Sequence, residues 1–269
     1  MREITSSKNP IIKEIKSLYN KKDRWNKGLF IIEGIKIIEE AILNNVGLKY
    51  IIITDKMFLL ESSKDFLMKI EDKYKIIKIS ENLFKEISDT ENPQGIVATA
   101  MFNTPILSGV LNREKPALIF LDGVQDPGNM GTIIRTCDAF NLDGIIIGPG
   151  SVDPYNPKVV RATMGSIFRV PLYISNDSLE TIADLSQGGL NIFSTSLEGS
   201  IPSYDIDYKE GFVLVIGNES NGVQDSIIKK SDKLIKIPMP GFAESLNAGV
   251  AASIIMYEAM KSKRKFLEY

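Results

Sequence analysis

Six short apolar runs mark the second half of the chain: 117–121 (ALIFL), 145–148 (IIIG), 170–174 (VPLYI), 191–195 (NIFST), 212–216 (FVLVI) and 233–238 (KLIKIP). Helical patterns lie between most of them, at about 130–140, 157–167, 178–186 and 223–230, and a last one spans about 245–263. Near-continuous apolar strands alternating with helices predict an α/β fold, a parallel sheet covered on both faces. The first hundred residues read as a smaller α/β sandwich. A helix over 9–22 presents Ile11, Ile12, Ile15, Leu18 and Tyr19, and a strand at 29–32 follows. A helix at 34–45, a strand at 49–53, a helix near 63–72, a strand at 75–79, a helix at 81–87 and a strand at 95–101 complete it. The stretch 101–116, with two prolines, a glycine and three charges, predicts a linker, so the domains run 1–105 and 106–269.

Composition narrows the chemistry. At 43% hydrophobic and a net charge of −2, the chain is globular rather than disordered. The absence of histidine excludes Ser-His-Asp and Cys-His catalysis and histidine-ligated zinc, and the single Cys137 excludes an internal disulfide or a cysteine metal cluster. No metal site is expected. Residues 1–27 hold eight basic and three acidic side chains, which fits either a nucleic-acid-binding arm or a solvated helix face. The N-terminus MREITSSKNP has no signal-like apolar stretch. Runs such as 249–257 fall well short of the roughly 20 residues of a membrane span. The expectation is a cytoplasmic protein without a membrane partner.

Ligands of parallel α/β sheets collect at loops after the carboxyl ends of strands, and three such loops are unusual here. The first, DGVQDPGNMGTIIRTCDAF (122–140), is rich in glycine and leads into a helix that Asn129 would cap. That helix carries Arg135 beside Ile133 and Ile134, so the guanidinium either faces an anionic ligand or pairs with an acid such as Asp138. The second, GNESNGV (217–223), is either a plain turn or a backbone-exposing ligand edge with one carboxylate. In the third, 237–258, Pro238, Pro240 and Gly241 enforce an irregular loop before Ser245 or Asn247 opens a helix rich in alanine and glycine. Such a helix packs closely against something, and the sheet itself would suffice.

Taken together, Asn129-x-Gly131-x-x-x-Arg135, then VIGNESNGV (215–223), then IPM with SLN and VA (237–251), resemble the three motifs of the SpoU/TrmH family, RNA ribose 2′-O-methyltransferases of the SPOUT superfamily. The resemblance covers most of 117–262. NPIIKEI near the start, FIIEGIKIIEEA at 30–41 and PQGIVA at 93–98 resemble the substrate-binding domain often fused in front, whose fold is similar to kink-turn-binding ribosomal proteins. The resemblance implies a C-terminal deep trefoil knot, a homodimer and S-adenosylmethionine as cofactor. It implies cofactor contacts at Thr195, Ser196, Gly217, Ile237, Met239 and Leu246, where Gly217 leaves room for the ligand and Ile237 and Leu246 wall a purine.

The catalytic set it implies is Asn129, Arg135, Glu219, Ser245 and Asn247. Arg135 would hold a phosphate or the target ribose, with Asn129 and Glu219 orienting it and the nucleotide. A guanidinium is too basic to serve as an ordinary proton acceptor, and phosphate-assisted removal of the 2′-hydroxyl proton stays open as the alternative to pure positioning. Asn156, Lys158, Arg161 and Gly165 lie in a segment that faces RNA in relatives, and Lys8, Lys13, Lys21, Lys22 and Arg24 are the expected phosphate contacts of the first domain. The fused domain points to 23S ribosomal RNA as substrate, with a transfer-RNA methyltransferase or a non-catalytic RNA-binding relative as alternatives. A dinucleotide-binding dehydrogenase is excluded, because no G-x-G-x-x-G opens the first helix of the second domain, and no P-loop motif is present.

Overall fold

A computed structural model describes residues 2–59, 63–197 and 201–263. The chain divides into two compact units, one of Met1–Asn103 with Tyr155–Phe168, the other of Thr104–Pro154 with Arg169–Tyr269. Residues 155–168, read from sequence as part of the second domain, thus cluster with the first.

The first unit opens with strand β1 (Arg2–Ile4), which the sequence pattern did not suggest because three residues cannot display a period. Helices α1 (Pro10–Ser17) and α2 (Lys21–Lys27) replace the single expected helix. Asn9 caps α1 with Pro10 in its first turn, and Asn20 restarts the chain as α2 by accepting the N–H of Lys22. β2 (Leu29–Glu33), α3 (Ile35–Leu43), β3 (Leu48–Ile53), the unexpected short α4 (Lys56–Leu59), α5 (Ser63–Ile70), β4 (Ile76–Ile79), α6 (Glu81–Lys85) and β5 (Ile96–Met101) follow. The sheet is mixed, in order β1-β4-β3-β5-β2, with β5 antiparallel to both neighbours. Ile12, Ile15 and Leu18 of the first helical segment pack on its core with Ile52, Ile77 and Phe84.

The second unit comprises β6 (Ala117–Asp122), α7 (Pro127–Ala139), β7 (Gly144–Ile147), β8 (Leu172–Ile174), α9 (Ser178–Gln187), β9 (Asn191–Thr195), β10 (Ile201–Pro202), β11 (Phe212–Gly217), α10 (Asp225–Ile228), β12 (Lys233–Lys236) and α11 (Ala248–Lys263). Helix α8 (Pro157–Ala162) lies between β7 and β8 in sequence and belongs to the first unit. The expected helix over 157–167 stops there, since Met164 and Gly165 both take positive φ before a 3-10 turn at Ser166–Phe168. All strand pairs of the sheet are parallel, in order β10-β12-β9-β11-β6-β7-β8. β6, β7 and β11 are buried along their whole length, as a sheet covered on both faces requires. The stretch read as a linker contributes Val110 to this unit's core, with Leu107 and Leu111 packed against it.

Candidate active site

The carboxyl ends of β9, β11 and β12 converge on a cavity of about 790 Å³, within the range of small-ligand sites. Its walls are three irregular segments: 195–197 after β9, 217–225 after β11, and 235–248 between β12 and α11. Thr195, Ser196, Gly217, Ile237, Met239 and Leu246 all line it, as do Glu219, Ser245 and Asn247. Charged groups that motif reading passed over, Lys236, Asp225 and Glu244, line it as well. Lys236 could have been found by strand alternation, since it immediately follows the buried Ile235.

Gly217 is required for a different reason from the one expected. A Cβ built there would sit 2.1 Å from the carbonyl carbon of Gly222 and 2.2 Å from the nitrogen of Val223. The chain closes on itself at this point, with Asn218 and Gly222 exchanging two backbone hydrogen bonds of 2.9 Å. The glycine therefore admits the loop's own backbone, and a larger residue would deform the loop before it met any ligand.

Glu219 fastens that loop to the start of α7. Its carboxylate accepts the backbone N–H groups of Gln125 (3.2 Å) and Asp126 (3.1 Å) and the side-chain amide of Asn129 (2.9 Å). Burial alone would raise its pKa. The bonds from Asn129 and from the backbone of Glu219, Gln125 and Asp126 outweigh that and hold it below the ordinary carboxylate value. Asn129, only 6% exposed, is a partner of Glu219 and not the helix cap. The cap is Asp126, which accepts the N–H of Asn129 at 2.8 Å, with Pro127 in the first turn. At α11 the cap is Asn247 rather than Ser245, its Oδ1 accepting the N–H of Val250. The close neighbour implied by the small residues of that helix is α7, since a Cβ on Gly249 would lie 3.2 Å from Cβ of Thr132 and 3.3 Å from Cα of Asn129. Thr136 and Ser253 share a hydroxyl hydrogen bond of 2.9 Å across the same seam.

The profile of the SpoU rRNA Methylase family matches residues 116–257, the segment that builds this cavity. The chain belongs to that family. A second profile, the MRM3-like substrate binding domain, matches residues 9–98. Over 257 residues the SpoU methylase is 34% identical to the 23S rRNA (guanosine(2553)-2′-O)-methyltransferase RlmP of Bacillus subtilis, covering 96% of this chain and 98% of that protein. It superposes on the AdoMet-bound rRNA methyltransferase from Sinorhizobium meliloti with a TM-score of 0.84 at 32% identity, covering 97% of each chain. The SpoU methyltransferase AviRb from Streptomyces viridochromogenes, in complex with AdoMet, gives 0.85 at 27% identity, covering 95% of this chain and 98% of that one. The chain is an S-adenosylmethionine-dependent RNA methyltransferase.

Other expected residues of the SpoU methylase lie away from the cavity. Arg135 does not line it; the side chain is exposed on the outer face of α7 and has no ion pair among the described residues. Asp138 is engaged instead by Arg169, through Nε at 3.0 Å and Nη2 at 2.8 Å. The environment around Arg135 is therefore not the buried one its apolar neighbours suggested, because Ile133 and Ile134 face inward while position 135 points out. In the first unit Lys8, Lys13, Lys21 and Lys22 are exposed, and so is Lys158. Arg24 is a correction to the expected phosphate contacts. It is 2% exposed, and its Nη1 donates to the carbonyl of Leu18 at 2.7 Å, so it fastens the α1–α2 junction. Arg161 pairs with Asp89 at 3.1 Å, while Asn156 caps α8 and Gly165, at φ +93°, ends its segment. Among the described residues no three His, Cys, Asp or Glu side chains are grouped to hold a metal ion.

Proposed function

We propose that this chain methylates the ribose 2′-hydroxyl of a nucleotide in 23S ribosomal RNA, acting as a homodimer whose catalytic unit carries the trefoil knot of its superfamily. The observation that carries the reading is the convergence of nine expected site residues, seven of them from the second and third motifs and two from the end of β9, on one cavity at the sheet's carboxyl edge. The relative RlmP, matched over nearly its full length, directs the substrate to 23S RNA. The knot is supported by α11, which follows the 235–248 wall and then packs on α7 beside the 217–225 loop.

The residues present fit S-adenosylmethionine. Ile216, Ile237 and Leu246 offer apolar surface to a purine, while the ends of three parallel strands present backbone polar groups. Thr195 and Ser196, at the end of β9 between β12 and β11, and Met239, Ser245 and Asn247, beyond β12, complete the lining. When bound, the cofactor supplies an electrophilic methyl group on a sulfonium.

The chain's own residues do the positioning. Glu219, held ionised by its hydrogen bonds to α7, is a poor proton acceptor near neutrality, and no histidine exists to replace it. Arg135 therefore acts electrostatically, gripping a phosphate or ribose oxygen by parallel hydrogen bonds and stabilising negative charge that develops on the 2′-oxygen. Its place on the outer face of α7 suits action at the cavity of a second copy. On α11, the helix packed against α7, Val250, Ile254 and Tyr257 form an exposed apolar stripe suited to a symmetric interface.

Lys8, Lys13, Lys21, Lys22 and Lys158 supply phosphate contacts that fix the RNA without reading its sequence. No helix among the described residues is long and apolar enough to cross a membrane, and the proposed compartment is the cytoplasm, where the RNA resides. The test is to incubate the purified chain with labelled S-adenosylmethionine and total RNA and to map 2′-O-methylation. Label in one nucleotide of 23S RNA is expected. Label confined to transfer RNA, or none, would overturn the assignment.

A further inference from the structure

We propose that Asp122 and Gln224 are positioning residues for methyl transfer, holding the 218–224 wall of the cavity in register with the helix that carries Asn129 and Arg135; the proposal rests on the methyltransferase reading above. Neither residue belongs to the motif set, and neither lines the cavity. Asp122 is the last residue of β6, paired in register with Gly217 of β11, and is 2% exposed. Its Oδ2 accepts the backbone N–H of Gln224 at 2.8 Å, and its Oδ1 accepts that residue's side-chain amide at 2.6 Å. No cation is paired with it among the described residues.

A buried carboxylate without a counter-charge is costly, and a serine or asparagine would serve at an ordinary turn. The carboxylate's placement explains its presence. The 218–224 segment supplies one wall of the cavity, yet its own regular structure is limited to the Asn218–Gly222 bridge, and Glu219, Ser220, Asn221 and Gly222 are exposed. Three side chains compensate by tying it to one neighbour, the loop 122–126. Asn218 donates to the carbonyl of Gly123 at 2.8 Å at the near end, and Glu219 holds the start of α7. Asp122 holds Gln224 at the far end. Charge-assisted hydrogen bonds to backbone N–H are about twice as strong as neutral ones, which suits a clasp that must keep a loop in place while ligands exchange. With both ends fastened, the wall cannot shift without moving the start of α7, so the cofactor's position and the contact of Glu219 with Asn129 are set together.

The test uses the full-length chain and the variants Gln224→Glu, Gln224→Ala and Asp122→Asn/Gln224→Glu, with the wild type run alongside. Gln224→Glu sets two carboxylates against each other. In the double variant the new amide donates to the new carboxylate, and its oxygen still accepts the backbone N–H of position 224. Gln224 is exposed, so the single variants keep the fold. Expected are a kcat about tenfold or more below wild type for Gln224→Glu, a weaker Kd for S-adenosylmethionine, and recovery of most of both losses in the double variant. The Kd for RNA should stay at the wild-type value, and the losses of turnover and cofactor affinity should persist well below the thermal midpoint, which the loss of a partner for buried Asp122 lowers. Wild-type kcat and cofactor affinity in both single variants, no recovery in the double variant, or losses that merely follow the thermal midpoint would overturn the proposal. A wild-type chain that neither binds S-adenosylmethionine nor methylates RNA would overturn the methyltransferase reading instead.

Discussion

Arg135 and Glu219 show how far a motif reaches at the scale of one residue. The spacing Asn129-x-Gly131-x-x-x-Arg135 singled out the arginine, but only the burial of its neighbours tells that it faces outward. Arg135→Ala should lower single-turnover methyl transfer by two to three decades, about 3–4 kcal/mol in the transition state, with cofactor affinity unchanged. Arg135→Lys should rescue little, because a point charge on a flexible stem cannot reproduce two parallel hydrogen bonds. Near-normal turnover by Arg135→Ala would remove it from the mechanism. For Glu219 the pH dependence follows from its lowered pKa. The ionised clasp contributes in full above the ordinary carboxylate value of 4.5 and is lost as pH falls through the lower folded value. Cofactor affinity, measured by calorimetry, should therefore hold steady from neutrality down to about pH 5 and weaken only in more acid solution. Glu219→Gln should bind more weakly throughout, since its amide oxygen can still accept from Asp126 and Asn129 but its NH2 then faces the N–H of Gln125.

Helices α7 and α11 carry the argument at the scale of elements. Their small residues signalled a close approach in sequence, and the partner proves to be another helix, with Gly249 against Thr132 and Asn129. That seam leaves Val250, Ile254 and Tyr257 of α11 on the outside, where Tyr257 stands 5.8 Å from the ring of Phe140. Burying this stripe is the reason to expect a dimer. Val250→Glu/Ile254→Glu places two charges on it and should give a monomer in sedimentation at tens of micromolar, with cofactor still bound and RNA methylation lost. A double variant that remains dimeric and active would place the interface elsewhere. The element boundaries were legible where a cap and a proline mark them at Asn9-Pro10, but the same signal at Asp126-Pro127 was passed over for Asn129, three residues late. They were misread where one asparagine, Asn20, divides an otherwise continuous helical pattern.

At the scale of the whole molecule the first unit takes in residues 155–168. Tyr155 stacks on Phe102 with centroids 3.8 Å apart and lies 5.0 Å from Phe30. A fragment of residues 106–269 would leave this segment without those partners. It should bind S-adenosylmethionine, methylate RNA poorly, and show faster hydrogen exchange over 155–168 than the intact chain. RNA affinity of the intact chain should fall as salt rises, because lysine contacts release counterions from phosphate, and the fragment should show a shallower slope. An equal slope and full-rate methylation by the fragment would remove the first unit from substrate binding.

What the sequence determined by itself was the alternation of strands and helices, the parallel sheet of the second unit, and two of the loops that wall the cavity, 217–223 and the one that begins at 237. Each is written in local terms: continuous apolar runs, turn residues, and polar side chains at fixed spacing. What only the tertiary structure decided is which groups meet. The partner of Asn129 is 90 residues away at Glu219, and that of Asp122 is 102 residues away at Gln224. Gly217 is required by the backbone of Gly222 and Val223, and Arg24 is buried under the carbonyl of Leu18 although it sits in a run of lysines. The physical reason is common to all of them. A hydrogen bond or a steric limit between distant segments depends on strand order and helix packing, and neither leaves a periodic trace in the chain.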